Sequence, residues 1–165
     1  MQGFYWLIDG VLAGCARPGG RGRREPSASA ATEAELDADL LALQERGIGA
    51  VLSLTETPLT HGALDRHGLD GLHLPVDDLR APTPTQLHDA LAFIDRQRGL
   101  GRRVAVHCLV GQGRTGTVLA AYLIRGGLDA SAALREVRAV CPGAVSAAEQ
   151  ERALADFAAA RDWIV

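Results

Sequence analysis

Hydrophobic positions along this chain alternate between two rhythms. Short, nearly continuous apolar runs at Phe4–Ile8, Val11–Gly14, Ile48–Leu54, Leu72–Val76 and Val104–Val106 read as strands, with Ile48–Leu54 and Val104–Val106 buried. Between them, apolar residues recur at helical spacing, as Leu36, Leu40 and Leu43 and again as Leu87, Leu91 and Ile94. Val118–Ile124 is apolar nearly all round and predicts a central helix. Two further helices, about Asp129–Val140 and Ser146–Ala160, complete the chain. The alternation predicts an α/β fold, a mostly parallel central sheet of about four to five strands flanked by helices.

Local punctuation agrees with those spans. Asp9-Gly10 between two apolar runs predicts a hairpin turn. Thr32 with Glu35, Thr83 with Gln86 and Ser146 with Glu149 have the spacing of capping boxes, and Pro84 suits a first helical position. Gly47 stops the helix before Ile48.

The chemistry concentrates where the Val104–Val106 strand meets the central helix, in His107-Cys108-Leu109-Val110-Gly111-Gln112-Gly113-Arg114-Thr115-Gly116. Five residues between Cys108 and Arg114 let the backbone curl so that successive N–H groups of Leu109 to Gly113 point inward, and Arg114 closes the ring as a permanently charged fork. The start of the following helix adds its positive end, so that a bound phosphoryl group and a thiolate at Cys108 are both favoured. A lone Cys and Arg at this spacing is common and a strand-end Cys is usually an inert small hydrophobe. The full string between a strand and an apolar helix is far rarer.

His107, Cys108, Gly111, Arg114 and Thr115 resemble the His-Cys-x-x-Gly-x-x-Arg-Ser/Thr signature of the cysteine-dependent protein-tyrosine phosphatases. Trp6–Gly14, the Asp78 segment and Glu149-Gln150-Glu151 resemble the small atypical dual-specificity, VHZ-like members. The resemblance implies a dual-specificity phosphatase fold, one catalytic domain over 1–165 with a flexible insert at about 17–31, and hydrolysis of phosphomonoesters through a phosphocysteine intermediate. It implies Cys108 as nucleophile, Arg114 as transition-state clamp and Thr115 as hydroxyl donor to the sulfur. It further implies that His107 turns its ring to the scaffold and that Asp78 is the general acid and then base. Relatives carry Pro immediately before that Asp, where this chain has Asp77, so Asp78 is favoured over Asp77. Gln150 is either a water-positioning residue or an exposed helix residue. Low-molecular-weight tyrosine phosphatases carry the Cys-x5-Arg loop near the N-terminus, and rhodanese-like domains lack the Thr-Gly helix start. Both fit worse.

Composition sharpens this in a few places. The length of 165 residues and 47% apolar content suit one core, and a net charge of -3 offers no bulk attraction to nucleic acid or anionic membrane. All basic residues are Arg, which reads as coding bias. Met1–Gly14 has no charged leader and no run approaches bilayer-spanning length, so a cytoplasmic protein without a membrane partner is expected. Cys15, Cys108 and Cys141 are too few and odd in number for a secreted disulfide framework; Cys15 or Cys141 could pair with Cys108 under oxidation only if close enough. His61, His67, His73 and His88 lack metal-ligand spacing, and neither metal nor cofactor is expected.

Arg17–Arg24 either overhangs the pocket to meet a second phosphate or forms a solvated loop, and Arg80 either touches substrate or is an exposed charge. The loop interior has Leu109, Val110 and Gln112 and no Lys, unlike phosphoinositide phosphatases of the tensin-homologue kind, which favours a singly phosphorylated protein or peptide substrate with inorganic phosphate as product. A phosphatase of phosphoinositides, inositol phosphates or RNA 5′ ends, and a non-catalytic phosphate-binding module, are the alternatives. Oligomeric state is left open.

Overall fold

The computed structural model describes residues 1–20 and 33–161. In chain order the elements are β1 (Tyr5–Ile8), β2 (Leu12–Cys15), α1 (Glu33–Glu45), β3 (Ile48–Ser53), α2 (Ala63–Arg66), β4 (Asp70–His73), α3 (Pro84–Gly99), β5 (Arg103–His107), α4 (Gly113–Arg125), α5 (Ala130–Val140) and α6 (Ala148–Arg161). They form one five-stranded sheet in the order β1-β2-β5-β3-β4. Only the β1–β2 hairpin is antiparallel; β2, β5, β3 and β4 run parallel. The expected mostly parallel sheet is therefore present.

Burial on both faces explains why the strands read as continuous apolar runs. Leu12, Ala50, Leu52, Val104 and Val106 point to one side, where Leu91 and Ile94 of α3, Leu119 and Ile124 of α4, Val137 of α5 and Leu154 of α6 cover them. The alternate positions Ala13, Cys15, Val51 and Ala105 point to the other, against Leu36, Leu40 and Leu43 of α1. Helix α4 is buried along nearly all its length, as its sequence foretold.

Parallel strands set the place of chemistry, because their C-terminal ends open onto one sheet edge. That edge receives Arg17 after β2, Glu56 after β3, Asp78 after β4 and Cys108 after β5. Among helices, α3 has the expected capping box, Thr83 accepting from the Gln86 N–H and Pro84 opening the helix. Gln86 Nε2 also donates to the Pro75 carbonyl at 2.8 Å, fastening the Asp78 segment to the helix that follows it.

Four expectations need correction or fall outside the described residues. Strand β4 begins at Asp70 and ends at His73 rather than spanning Leu72–Val76. Leu74 and Val76 still donate to Ser53 and Leu54, but Pro75 between them has no N–H and the ladder breaks. The Ser146–Glu149 capping box does not form: Ala147 donates its N–H to Gln150 Oε1, while the Glu149 carboxylate accepts from Ala81 N and pairs with Arg80. The sequence spacing was local, and a loop from elsewhere in the fold captured the carboxylate. Thr32, which would cap α1, and residues 21–31 of the insert expected at about 17–31 lie outside the described residues, while Arg17 and Gly19 at its start are hydrogen-bonded to Leu109 and Asp39. Helix α2 is too short to leave a periodic signal.

Candidate active site

The loop between β5 and α4 is held by its carbonyls. Tyr5 Oη donates to Gly111 O at 2.8 Å, Arg17 N to Leu109 O at 3.0 Å, and Gly116 N and Val145 N to Gln112 O at 2.8 and 3.3 Å. Each carbonyl so engaged is tied to the scaffold, which favours an inward course for the intervening amides. Gly111 turns the loop at φ +80, and a Cβ there would lie 2.5 Å from the carbonyl of Cys15. Both the handedness and the space exclude a side chain. Gly111→Ala is expected to cost about 2 kcal/mol or more and to abolish tungstate binding by the loop, measured by denaturant unfolding and calorimetry. Wild-type values in both would disprove this account of the loop.

Cys108 and Arg114 are each 2% exposed and line one cleft of about 210 Å³ with Asp78, Leu79, Leu109, Val110, Gly113, Ser146 and Gln150. Arg114 Nη1 donates to Val76 O at 2.7 Å and to Glu56 Oε2 at 3.0 Å, and Nη2 lies 3.3 Å from Asp78 Oδ1. Asp78 also donates its N–H to Glu56 Oε1 at 2.8 Å. Asp77 is exposed and does not line the cleft.

Glu56 thus touches both Arg114 and the Asp78 backbone. Burial opposes its charge, but hydrogen bonds from its own backbone, from Arg114 and from the Asp78 N–H outweigh that and hold its carboxyl below the usual range. Sequence reading missed Glu56. Its signal was topological: it stands three residues past a parallel strand on the edge where Cys108 also emerges.

His107 is fully buried, with Nε2 2.7 Å from Ser53 Oγ and Nδ1 3.2 Å from the Cys108 carbonyl. Its ring points to the scaffold, as the resemblance implied. Burial pulls its pKa from 6.5 down to about 3, so it is neutral in the native protein at working pH. The unfolded chain binds this proton near pH 6.5 and the native protein does not, so His107 lowers stability as pH falls through that value. From pH 7 to 5 the loss from this group is about 2 kcal/mol. Urea unfolding of wild type and His107→Asn at both pH values measures it, the variant showing the shallower dependence.

Thr115 Oγ1 is buried and has no hydrogen-bond partner among the described residues, the Cys108 sulfur included. Such an orphan hydroxyl is available to a group whose charge changes. Gln150 is fully buried, which removes the exposed alternative; its Nε2 donates to Arg80 O at 3.1 Å, and its side chain flanks the cleft. Ser146, legible in the sequence only as a helix cap, stands beside it: a Cβ on Gly113 would meet Ser146 Oγ at 2.6 Å and the Gln150 amide at 3.1 Å. Gln112 is exposed, its side chain lying against Gly143. Arg80 pairs with Glu149 at the rim.

Arg17 is not a solvated residue. Its Nη1 donates to Thr55 Oγ1 at 2.6 Å and Thr57 O at 2.8 Å, and its Nη2 to Pro58 O at 2.8 Å. Cys15 and Cys141 are buried free thiols, and burial raises the pKa of both. No group of three or more His, Cys, Asp or Glu side chains among the described residues could hold a metal, and no described helix is long and apolar enough to cross a membrane.

A family model described as "Polymorphic toxin system, DSP-PTPase phosphatase" matches residues 21–128. The crystal structure of Tk-PTP in the active form superposes with a TM-score of 0.78 at 32% identity, covering 96% of this chain and 99% of that one. Phosphatidylglycerophosphate phosphatase PTPMT2 of Arabidopsis thaliana is 30% identical over 124 residues, 72% of this chain and 54% of its own length. Dual specificity protein phosphatase 2 of Mus musculus is 35% identical over 92 residues, 53% of this chain and 27% of its own. The chain thus spans about half the length of the first of these curated relatives and about a quarter of the second.

Proposed function

Since this chain belongs to the dual-specificity phosphatase family of the protein-tyrosine phosphatase superfamily, we propose that residues 1–165 form one catalytic domain that hydrolyses singly phosphorylated esters, phosphotyrosine in proteins foremost. The observation that carries the reading is the near-complete burial of Cys108 and Arg114, which line one cleft together with Asp78.

A phosphate monoester enters with its oxygens on the loop amides of Leu109 to Gly113 and on Arg114, whose fork takes two non-bridging oxygens while charge shifts in the transition state. The Cys108 thiolate attacks phosphorus, the P–O ester bond breaks, and Asp78 hands its proton to the departing oxygen. The resulting Asp78 carboxylate then takes a proton from water as that water attacks the phosphocysteine. Sulfur leaves as thiolate, with the Thr115 hydroxyl free to donate to it, and inorganic phosphate is released. Gln150, which lines the cleft with Ser146, is assigned the role of holding the attacking water. No metal or cofactor has a part in this scheme.

Substrate class follows from what surrounds the phosphate site. Among the described residues Arg114 is the one cation in the cleft lining, and Leu79 and Val110, 50% and 45% exposed, supply apolar surface at its mouth. An aromatic ring suits that mouth better than a headgroup carrying further phosphates. A second reading, a lipid phosphate monoester, is supported by the similarity to a phosphatidylglycerophosphate phosphatase. Phosphate release from a phosphotyrosyl peptide, a phosphoseryl peptide, inositol phosphates and phosphatidylglycerophosphate vesicles separates them. We expect the phosphotyrosyl peptide to have the highest kcat/KM. A preference of about 100-fold or more for the vesicles, equivalent to roughly 2.7 kcal/mol, replaces it with the lipid reading. Phosphopeptide binding without turnover makes the domain a binding module.

A further inference from the structure

We propose that Arg17 is a positioning residue that fixes the general-acid segment and Arg114 through Glu56; the inference rests on the reading of the cleft as a phosphatase site. Arg17 stands two residues beyond β2 and contacts two of the neighbouring segments. Its N–H donates to Leu109 O, the first loop residue after Cys108, at 3.0 Å. Its guanidinium spans Thr55 Oγ1, Thr57 O and Pro58 O, bracketing Glu56 on both sides in sequence. Thr55 Oγ1 itself donates to Thr57 O at 2.7 Å, and His73 Nε2 lies 2.7 Å from Thr55 O, so the turn is closed around the guanidinium.

Without this anchor the Glu56 segment would hang from the end of β3 by exposed residues, since Glu56, Thr57 and Pro58 are all exposed. With it, the Glu56 carboxylate is held where one oxygen meets Arg114 Nη1 and the other the Asp78 N–H. A planar fork suits the task because its two terminal nitrogens reach acceptors on three residues of the turn in a fixed geometry, whereas an ammonium is a single point charge on a flexible stem. A chain of this kind places Asp78 relative to the leaving oxygen while touching neither substrate nor reacting atoms. Small displacements of a proton donor are costly, with a shift of 1 Å worth roughly 100-fold in rate.

The position at the entrance to the segment after β2 gave Arg17 the appearance of a loop charge. Its real distinction is that the backbone and side chain serve different neighbours. The backbone pins the loop that carries Cys108, and the side chain pins the turn that carries Glu56.

The test combines Arg17→Ala, Glu56→Gln and their double variant. Turnover of phenyl phosphate and 4-nitrophenyl phosphate is followed along with hydrogen exchange of the Asp78 amide. Arg17→Ala is expected to lower kcat for phenyl phosphate by about 10- to 100-fold with KM nearly constant, and to lower it less for the nitrophenyl ester, whose leaving group needs less protonation. The double variant should be no slower than the slower single variant, and the Asp78 amide should exchange faster in all three. Losses that multiply in the double variant, equal losses for both esters, or unchanged exchange at Asp78 overturn the inference. Thr55→Val removes one acceptor of the guanidinium without touching Arg17. It should show the same leaving-group pattern at about 2- to 5-fold, and stands in if Arg17→Ala does not fold. A wild-type chain that releases no phosphate, with exchange at Asp78 still dependent on Arg17, defeats the proposed reaction and leaves this linkage standing.

Discussion

Cys108→Ser is expected to turn over an aryl phosphate at least about 10,000-fold more slowly than the wild-type chain while still binding tungstate in the loop. A serine hydroxyl holds its proton far more tightly than a thiol and would need a dedicated base beside it. His107, the adjacent residue, spends its two ring nitrogens on Ser53 and the Cys108 carbonyl. A thiol is intrinsically more acidic and more nucleophilic than a hydroxyl and needs no such base. Everything else in the cradle is unchanged by the substitution, so the anion site persists and the fold loses about 1 kcal/mol. Steady-state kinetics and calorimetry with tungstate decide it. Retained turnover removes Cys108 from the chemistry, and lost tungstate affinity would mean that the loop had collapsed.

The second large effect belongs to Asp78. Asp78→Ala is expected to reduce kcat for phenyl phosphate by about 100- to 10,000-fold, with a smaller loss for a nitrophenyl ester. Its consequence for binding runs the other way. Asp78 Oδ1 lies 3.3 Å from Arg114 Nη2, so its carboxylate engages a donor that an oxyanion of the substrate would use. Removing it frees a donor, and KM should stay level or fall. Asp77→Ala serves as the comparison, with near-wild-type kinetics expected because Asp77 lies outside the cleft lining. If the large loss follows Asp77 instead, the proton donor is that residue.

How much of this was legible in the sequence depended on whether the information was local. The Cys108–Thr115 string, its strand and its helix form a contiguous device, and their order in the chain is their order in space. Asp78 was found by its place in a resembling segment, and the structure puts it against Arg114. Glu56 was not found, Arg17 was legible only as part of a loop that meets a second phosphate or solvent, and Ser146 only as a helix cap. Each reaches the site because parallel strands and a distant helix happen to end on the same edge, which no spacing along the chain encodes. Gln150 sits between Glu149 and Glu151, a polar run that suggests solvent, yet it is fully buried because the Arg80 carbonyl gives its amide a partner. The Ser146–Glu149 box misled for the reverse reason: the local pattern was right and a remote competitor took the carboxylate.

The strand ends that carry this chemistry leave the opposite rim of the sheet with none of it. There the chain enters β3, β4 and β5 through Gly47, Gly68 and Gly101, all in left-handed conformations, and at Gly68 and Gly101 a side chain would meet only open space. Evolution can therefore lengthen, shorten or decorate those connections independently of the reaction. A lineage could acquire new addresses or attachments on that far rim while its hydrolytic face stays as it was.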